Sequence, residues 1–318
     1  MMTNFIFWTI IIIITWEYFL STWLDWLNAK NYSDKLPDEL KGIYDEEKYK
    51  KSQNYEKENK SFSHISETVT FVVTLLVIVF WILGGLDEWL RSFFQNDILL
   101  ALAFFGIISL VQTFIGVPFS YYATFVIEEK YGFNKSTKQI FFLDLVKWLL
   151  LNFLIWWILL SLVVWIYTLI WDNFWIYAWI LLSAFSLFMM MFYSNVIVPL
   201  FNKQTPLEDG ELKTAINDFG KKVGFKIDNI FVIDGSKRST KANAYFTGFW
   251  PKKRIVLYDT LMKQMTVSEI VAVLAHEIGH YKRRQTLQML AFSIIQTVIV
   301  LYIFSLALTI PEVSLALW

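Results

Sequence analysis

The chain contains no cysteine, which excludes a disulfide framework and any thiolate metal site. That absence is compatible with every cellular compartment and assigns none. Formal net charge is zero, so no basic balance points to a nucleic-acid partner. Histidine is scarce: His64, His276 and His280 are the whole complement among 318 residues. The first apolar run has no basic start, no small-residue cleavage site and bulky aromatics throughout, so it is not a cleavable signal. What the chain does have is apolar surface. With 56% hydrophobic and 19% aromatic residues, it falls outside the range of ordinary soluble domains.

The apolar residues form six runs long enough to cross a bilayer, at 5–27, 68–86, 98–121, 145–170, 175–200 and 289–310. Trp23, Trp26, Trp171, Trp175 and Tyr177 sit at run ends, where amphipathic rings favour the headgroup zone. Basic residues set the orientation. The first connector carries Lys30, Lys35, Lys41, Lys48, Lys50, Lys51, Lys57 and Lys60, and the third adds Lys130, Lys135, Lys138 and Lys147. The opposite side has only Arg91, and no Lys or Arg follows position 310. This asymmetry predicts an N-terminus outside or in the lumen, and a cytosolic segment between the fifth and sixth spans.

The chain is thereby divided into 1–200, a membrane domain with five spans and charged loops; 201–288, a cytosolic segment; and 289–318, the sixth span and the end. Residues 28–67 read as a partly helical, solvated loop with His64 at its surface. Residues 121–147 read as an interfacial helix stopped at Gly132. In the cytosolic segment Leu212, Ala215, Ile216, Phe219 and Val223 share one helical face, with Gly224 as the stop. Residues 229–233 read as a strand entering the turn Asp234-Gly235-Ser236. The runs 244–249 and 253–258 pair as a hairpin around Gly248-Phe249-Trp250-Pro251.

Thr266 and Glu269 are spaced as a capping box and predict a helix start. Val267, Ile270, Val271, Leu274 and Ile278 then give that helix one apolar face. On it stands Ala275-His276-Glu277-Ile278-Gly279-His280-Tyr281. Histidines four apart lie on one face, about a turn apart, where both imidazoles can grip one metal ion. Glu277 follows the first ligand, positioned as a general base for the attacking water. Two nitrogen ligands, a Lewis-acid ion and a base make a zinc-hydrolase arrangement. Glu269 lies about 10 Å upstream at ~1.5 Å rise per residue, too far to be a ligand, and is assigned to the cap. The plainer reading is a helix carrying two exposed histidines. A small sheet beside the helix suits a protease, because an exposed edge strand can bind an extended peptide backbone.

The sequence resembles the type I CAAX prenyl endopeptidases, integral-membrane zinc metalloproteases that process prenylated a-factor and prelamin A precursors. The resemblance runs over nearly the whole chain. It is carried by Thr124-Phe125-Val126-Ile127-Glu128-Glu129-Lys130-Tyr131-Gly132-Phe133-Asn134-Lys135 and Asn243-Ala244-Tyr245-Phe246-Thr247-Gly248. The segments Arg254-Ile255-Val256-Leu257-Tyr258-Asp259-Thr260-Leu261 and His276-Glu277-Ile278-Gly279-His280 complete it. It implies a mainly α, polytopic membrane helical barrel enclosing a water-filled chamber, with a small α+β zincin-like cytosolic insert. It implies one zinc ion held by His276 and His280, Glu277 as general base, and Asn243, Ala244 and Tyr245 on the substrate strand. The implied substrate is a peptide, prenylated or otherwise membrane-associated, cut near its C-terminus. The implied setting is the endoplasmic reticulum membrane or a bacterial inner membrane.

The resemblance also implies a third zinc ligand, a Glu in an E-x-x-A-D-type helix beyond a seventh span. Neither occurs before Trp318, so the chain is expected to be C-terminally incomplete and to bind zinc weakly. Three other readings are compatible with parts of the sequence. A heat-shock-type membrane metalloprotease would carry fewer spans before the histidine helix. A non-catalytic membrane protein would retain the motif without a complete site. A transporter would use charges within its spans, here Glu17, Asp25 and Lys147.

Overall fold

Segments rich in Leu, Ile, Phe and Trp dictate helix in a bilayer, where every backbone amide must be satisfied within its own element. The computed structural model describes residues 2–225, 229–247 and 254–317. Among them, six helices are long and apolar enough to cross a membrane, and no more than 11% of any of their apolar windows is buried within the chain. Surface of that kind is fitted to lipid. The protein is an integral membrane protein, mainly helical, with one small sheet.

The elements fall into two compact units. The first runs to Gly132 and takes in the chain from Phe304 onward; the second is Phe133–Ile303. The second unit takes in the fourth and fifth spans together with the sheet-bearing segment.

In the first unit, α1 (Met2–Ala29) precedes α2 (Glu46–Val79). The expected loop at 28–67 is therefore mostly helix. Asp45 caps α2 by accepting from the Lys48 amide at 2.8 Å, and the charged stretch and the second apolar run share one 34-residue helix. His64 is exposed on that helix rather than in a loop, and stacks on Tyr18. The second run does not reach residue 86 unbroken: Trp81 at φ 48° ends α2, and α3 (Ile82–Arg91) starts anew. Next, α4 (Asp97–Tyr122) continues through a π-helical stretch, Ala123–Glu128, into α5 (Glu129–Tyr131), which Gly132 stops at φ 79°. The stop at Gly132 is as expected, but no separate interfacial helix exists. The first TFVIEEKYG residues lengthen the third span.

That extension has a structural task. Tyr55 of α2 donates to Glu128 at 2.6 Å, while Lys130 and Tyr131 both reach Glu58, at 2.6 and 2.9 Å. Phe62 stacks on Tyr122 at 4.7 Å between ring centres. Ile127 is buried beneath this seam.

The second unit holds α6 (Lys138–Leu169), α7 (Phe174–Val196) and α8 (Val198–Phe201), followed by β1 (Gln204–Pro206) and α9 (Glu211–Lys222). Then come β2 (Ile230–Ile233), β3 (Ala244–Thr247), β4 (Arg254–Tyr258), α10 (Asp259–Gln264), α11 (Val267–Lys282) and α12 (Gln285–Leu308). The chain closes in the first unit with α13 (Pro311–Leu317), packed on α1. Helix α6 starts earlier than position 145 because Thr137 caps it by accepting from the Ile140 amide. The sheet order is β1-β2-β4-β3, with β2 parallel to β4 and the other pairs antiparallel. The expected β3–β4 hairpin is present; the turn at Gly248–Pro251 and the flanking Lys252 and Lys253 lie outside the described residues.

One sheet face carries the core. Ala244, Ile255 and Leu257 pack there with Ile216 of α9, Leu261 of α10, and Ile270 and Leu274 of α11. Two polar ties secure the edges of this layer. Arg238 grips Asp144 of α6 through both carboxylate oxygens at 2.6 and 2.9 Å, and also donates to Asn202 Oδ1 and the Phe201 carbonyl. Lys147, one of the charges a transporter would need, donates instead to the Leu200 carbonyl at 3.0 Å.

Candidate active site

The histidine helix is positioned by its own first turn. Thr266 accepts from the Glu269 amide, Glu269 accepts from the Thr266 amide at 2.7 Å, and the capping box is closed on both sides. Glu269 is thus occupied at the cap, as its distance from the histidines required, and these hydrogen bonds hold its carboxyl below the usual range. Ile270, Leu274 and Ile278 are buried, which turns the opposite side of α11 outward and fixes the histidines on it.

His276 and His280 converge. Their Nε2 atoms are 2.8 Å apart and their rings stand at 89°, 4.4 Å between centres. Two imidazole nitrogens that face one another at this separation share one point in space, as a single ion requires. His280 Nδ1 contacts Gln285 Oε1. A carbonyl oxygen at Nδ1 can only accept, so it holds the proton there and leaves the Nε2 lone pair outward. The donor set, two neutral nitrogens with an amide carbonyl behind one, fits zinc. Among the described residues no group of three or more His, Asp or Glu could hold a metal. Glu277 is half-buried beside His276, with no hydrogen-bond or ion-pair partner among the described residues.

The substrate-strand residues divide. Strand β3 is a sheet edge and packs against α11. The Tyr258 amide donates to the Asn243 carbonyl, so the antiparallel alternation turns the backbone groups of Ala244 and Phe246 away from β4. Asn243 is exposed, and its Oδ1 accepts from the Ala244 amide at 2.8 Å. The Ala244 side chain is buried in the core, so its outward contact is through its backbone. Tyr245 lies on the other sheet face, away from α11: its hydroxyl is 3.5 Å from Ser194 Oγ of α7, and burial raises its pKa. It does not converge with the histidines. Phe246, on the α11 side, lies 4.8 Å from the Tyr281 ring.

Gln285 and Tyr281 were not singled out by the motif. The only sequence signal for Gln285 is its place just past the helix, and the contact depends on the break at Arg284, φ 54°.

Comparison with known proteins identifies the family. Residues 25–203 match the family described as CAAX prenyl protease N-terminal, five membrane helices, and residues 206–314 match Peptidase family M48. CAAX prenyl protease 1 of Saccharomyces cerevisiae is 36% identical over 85% of this chain, which spans 62% of that protein's length. CAAX prenyl protease 1 homolog of Homo sapiens is 30% identical, covering 96% of this chain and 74% of that one. The crystal structure of S. mikatae Ste24p superposes with a TM-score of 0.86 at 36% identity, over 96% of this chain and 72% of that chain. The chain belongs to the CAAX prenyl protease family.

Proposed function

We propose that this chain is the body of a zinc metalloendopeptidase of the membrane, hydrolysing peptide bonds near the C-terminus of CAAX-type, prenylated or otherwise membrane-associated peptides. The observation that carries the reading is the convergence of His276 and His280 Nε2 on one point. These two residues would hold the ion. Bound zinc supplies Lewis acidity, polarising the scissile carbonyl and lowering the pKa of water. Glu277, next to His276 and without a competing partner among the described residues, takes a proton from the attacking water and passes it to the leaving amine nitrogen. Strand β3 aligns the peptide by backbone pairing through the outward carbonyl of Ala244 and the outward groups of Phe246, the Ala244 amide being held by Asn243 Oδ1.

Catalytic zinc normally takes three protein ligands and water. The described residues supply two, so tight binding needs a further ligand, for which a carboxylate is the natural donor. The excess of lysine in the first and third connectors supports an N-terminus outside or lumenal and a cytosolic histidine helix, in the endoplasmic reticulum or a bacterial inner membrane. A quality-control protease is not favoured, since the relatives named above are CAAX prenyl proteases.

Glu277→Gln tests the reading. Cleavage of a farnesylated CAAX peptide by the zinc-loaded protein is expected to fall by about 10²-fold or more, while zinc content is retained. Undiminished cleavage would sink the proposal.

A further inference from the structure

Strand β3 is held along one side only. It pairs with β4, and its other side is the open sheet edge that a peptide must use. A strand so short takes its placement from that pairing and from the chain leading into it. The lead-in, residues 236–243, is bonded from two directions. Phe133–Lys135, just ahead of α6, run antiparallel to Arg238–Thr240. The Lys135 amide donates to the Arg238 carbonyl and the Thr240 amide to the Phe133 carbonyl, both at 3.0 Å, with Asn134 opposite Ser239. From α10, Thr260 Oγ1 donates to the Lys241 carbonyl at 2.9 Å, and Gln264 Nε2 to the Thr240 carbonyl at 2.6 Å.

Arg238 is the pivot of this lead-in. Its guanidinium meets both Asp144 oxygens, Asn202 Oδ1 and the Phe201 carbonyl, all between 2.6 and 3.1 Å. The Arg238 and Asp144 side chains keep only 22% and 24% of their exposure. A planar fork on one carboxylate, shielded in this way, has little room to rotate. Asp144 stands on α6 and Phe201 ends α8, so one side chain fixes the lead-in to two helices. None of its partners is His276, Glu277 or His280. The histidine helix takes its own place from Ile270 and Leu274 in the core.

We propose that Arg238 is a positioning residue for the substrate: clamped on Asp144, it keeps β3 where the open edge can receive an extended peptide. The inference rests on the peptidase reading and deepens it. Without the clamp the lead-in moves more freely, and a peptide must order it on binding. Affinity then falls in proportion to the fraction of molecules whose strand is already in place. A peptide once bound meets the same histidine helix, so the chemical step and the ion's ligands are left as they were.

Arg238→Gln tests this, since it removes the charge and the fork. With a fluorescent farnesylated CAAX peptide and excess zinc, KM should rise about tenfold while kcat per bound zinc changes by less than about twofold. Equilibrium binding of the same peptide to the chelator-treated protein, without turnover, should weaken to the same degree, and zinc affinity measured with a chelating dye should be retained. Arg238→Lys should recover part of the loss, because the charge remains and the fork does not. Peptide affinity unchanged in Arg238→Gln would overturn the proposal. So would a fall in kcat at unchanged KM, which is what a smaller folded fraction gives. Should Arg238→Gln fail to fold, Asp144→Asn is read by the same criteria, because it leaves the bonds to Asn202 and Phe201 in place. The two readings fail separately: unchanged peptide affinity in Arg238→Gln alongside loss of cleavage in Glu277→Gln removes only the clamp, and persistent cleavage in Glu277→Gln removes only the base.

Discussion

Gln285 shows how much of this site depends on single contacts. Its Oε1 meets His280 Nδ1 and thereby selects the tautomer whose Nε2 lone pair faces His276. Partners of this kind typically tune metal affinity by about 10–100-fold. Gln285→Ala should weaken zinc binding by about tenfold, measured by competition with a chelating dye, and should shift the ¹⁵N signals of His280 toward a tautomer mixture. Unchanged affinity and unchanged signals would show that the contact does no orienting. Gly235 is a second such position. A β-carbon there would come 2.3 Å from the Tyr258 ring, so Gly235→Ala must displace that ring. Overpacking of this sort costs about 1–3 kcal/mol, and the melting temperature should drop accordingly. Gly235→Ala combined with Tyr258→Ala should lose less than the sum of the two changes.

At the scale of elements, the turn into α10 is tied to pH through Asp259. Burial works against ionisation of Asp259, but hydrogen bonds from the Ser236 hydroxyl and amide, with Lys263 at 3.5 Å, outweigh it and hold the carboxyl below its ordinary value. A carboxylate depressed on folding contributes stability that is complete above its unfolded pKa, about 3.9, and is lost as pH falls through the folded value. Thermal stability should therefore decline below about pH 4, and Asp259→Asn should flatten that part of the curve by removing the titration. A curve identical in the variant would place the acid sensitivity elsewhere. The segment Arg254–Leu261 marked the family resemblance, and here it binds the β2 exit to the start of α10. The histidine helix owes its start to Thr266 in the same way. Replacing that cap with Ala should cost about 1 kcal/mol.

For the whole molecule, zinc per chain is the informative quantity. With two nitrogens converging and no third donor clustered with them among the described residues, residues 1–318 purified in detergent should retain sub-stoichiometric zinc after dialysis. His276→Ala should retain still less. Near-stoichiometric zinc that disappears in His276→Ala would mean that the chain itself completes the coordination. The membrane helices contribute to this site through position. Arg238 ties the β2–β3 connection to Asp144 of α6, and α7 lies against β3, so the sheet is fastened to two spans.

Local chemistry made much of this protein legible from its residues alone. Six spans follow from apolar run length, because a bilayer leaves no alternative to helix. The cap at Thr266, the stop at Gly132 and the facing of His276 and His280 follow from helical periodicity. What the sequence left dark depends on residues distant along the chain. Strand β1 is three residues with a proline at its end, and exists because Gln204 and Thr205 find Ile233 and Val232. The parallel pairing of β2 with β4 joins segments two dozen residues apart. Residues 46–67 look like solvated loop because their charges are read one at a time, yet Glu58 and Tyr55 are bound by a different helix. The cleft lined by Phe246, Met190 and Arg284 needs β3, α7 and the break after α11 to meet. Periodicity and composition are properties of neighbouring residues and survive in the sequence; a pocket or an ion-pair seam exists only once folding brings remote groups within a few ångströms of one another.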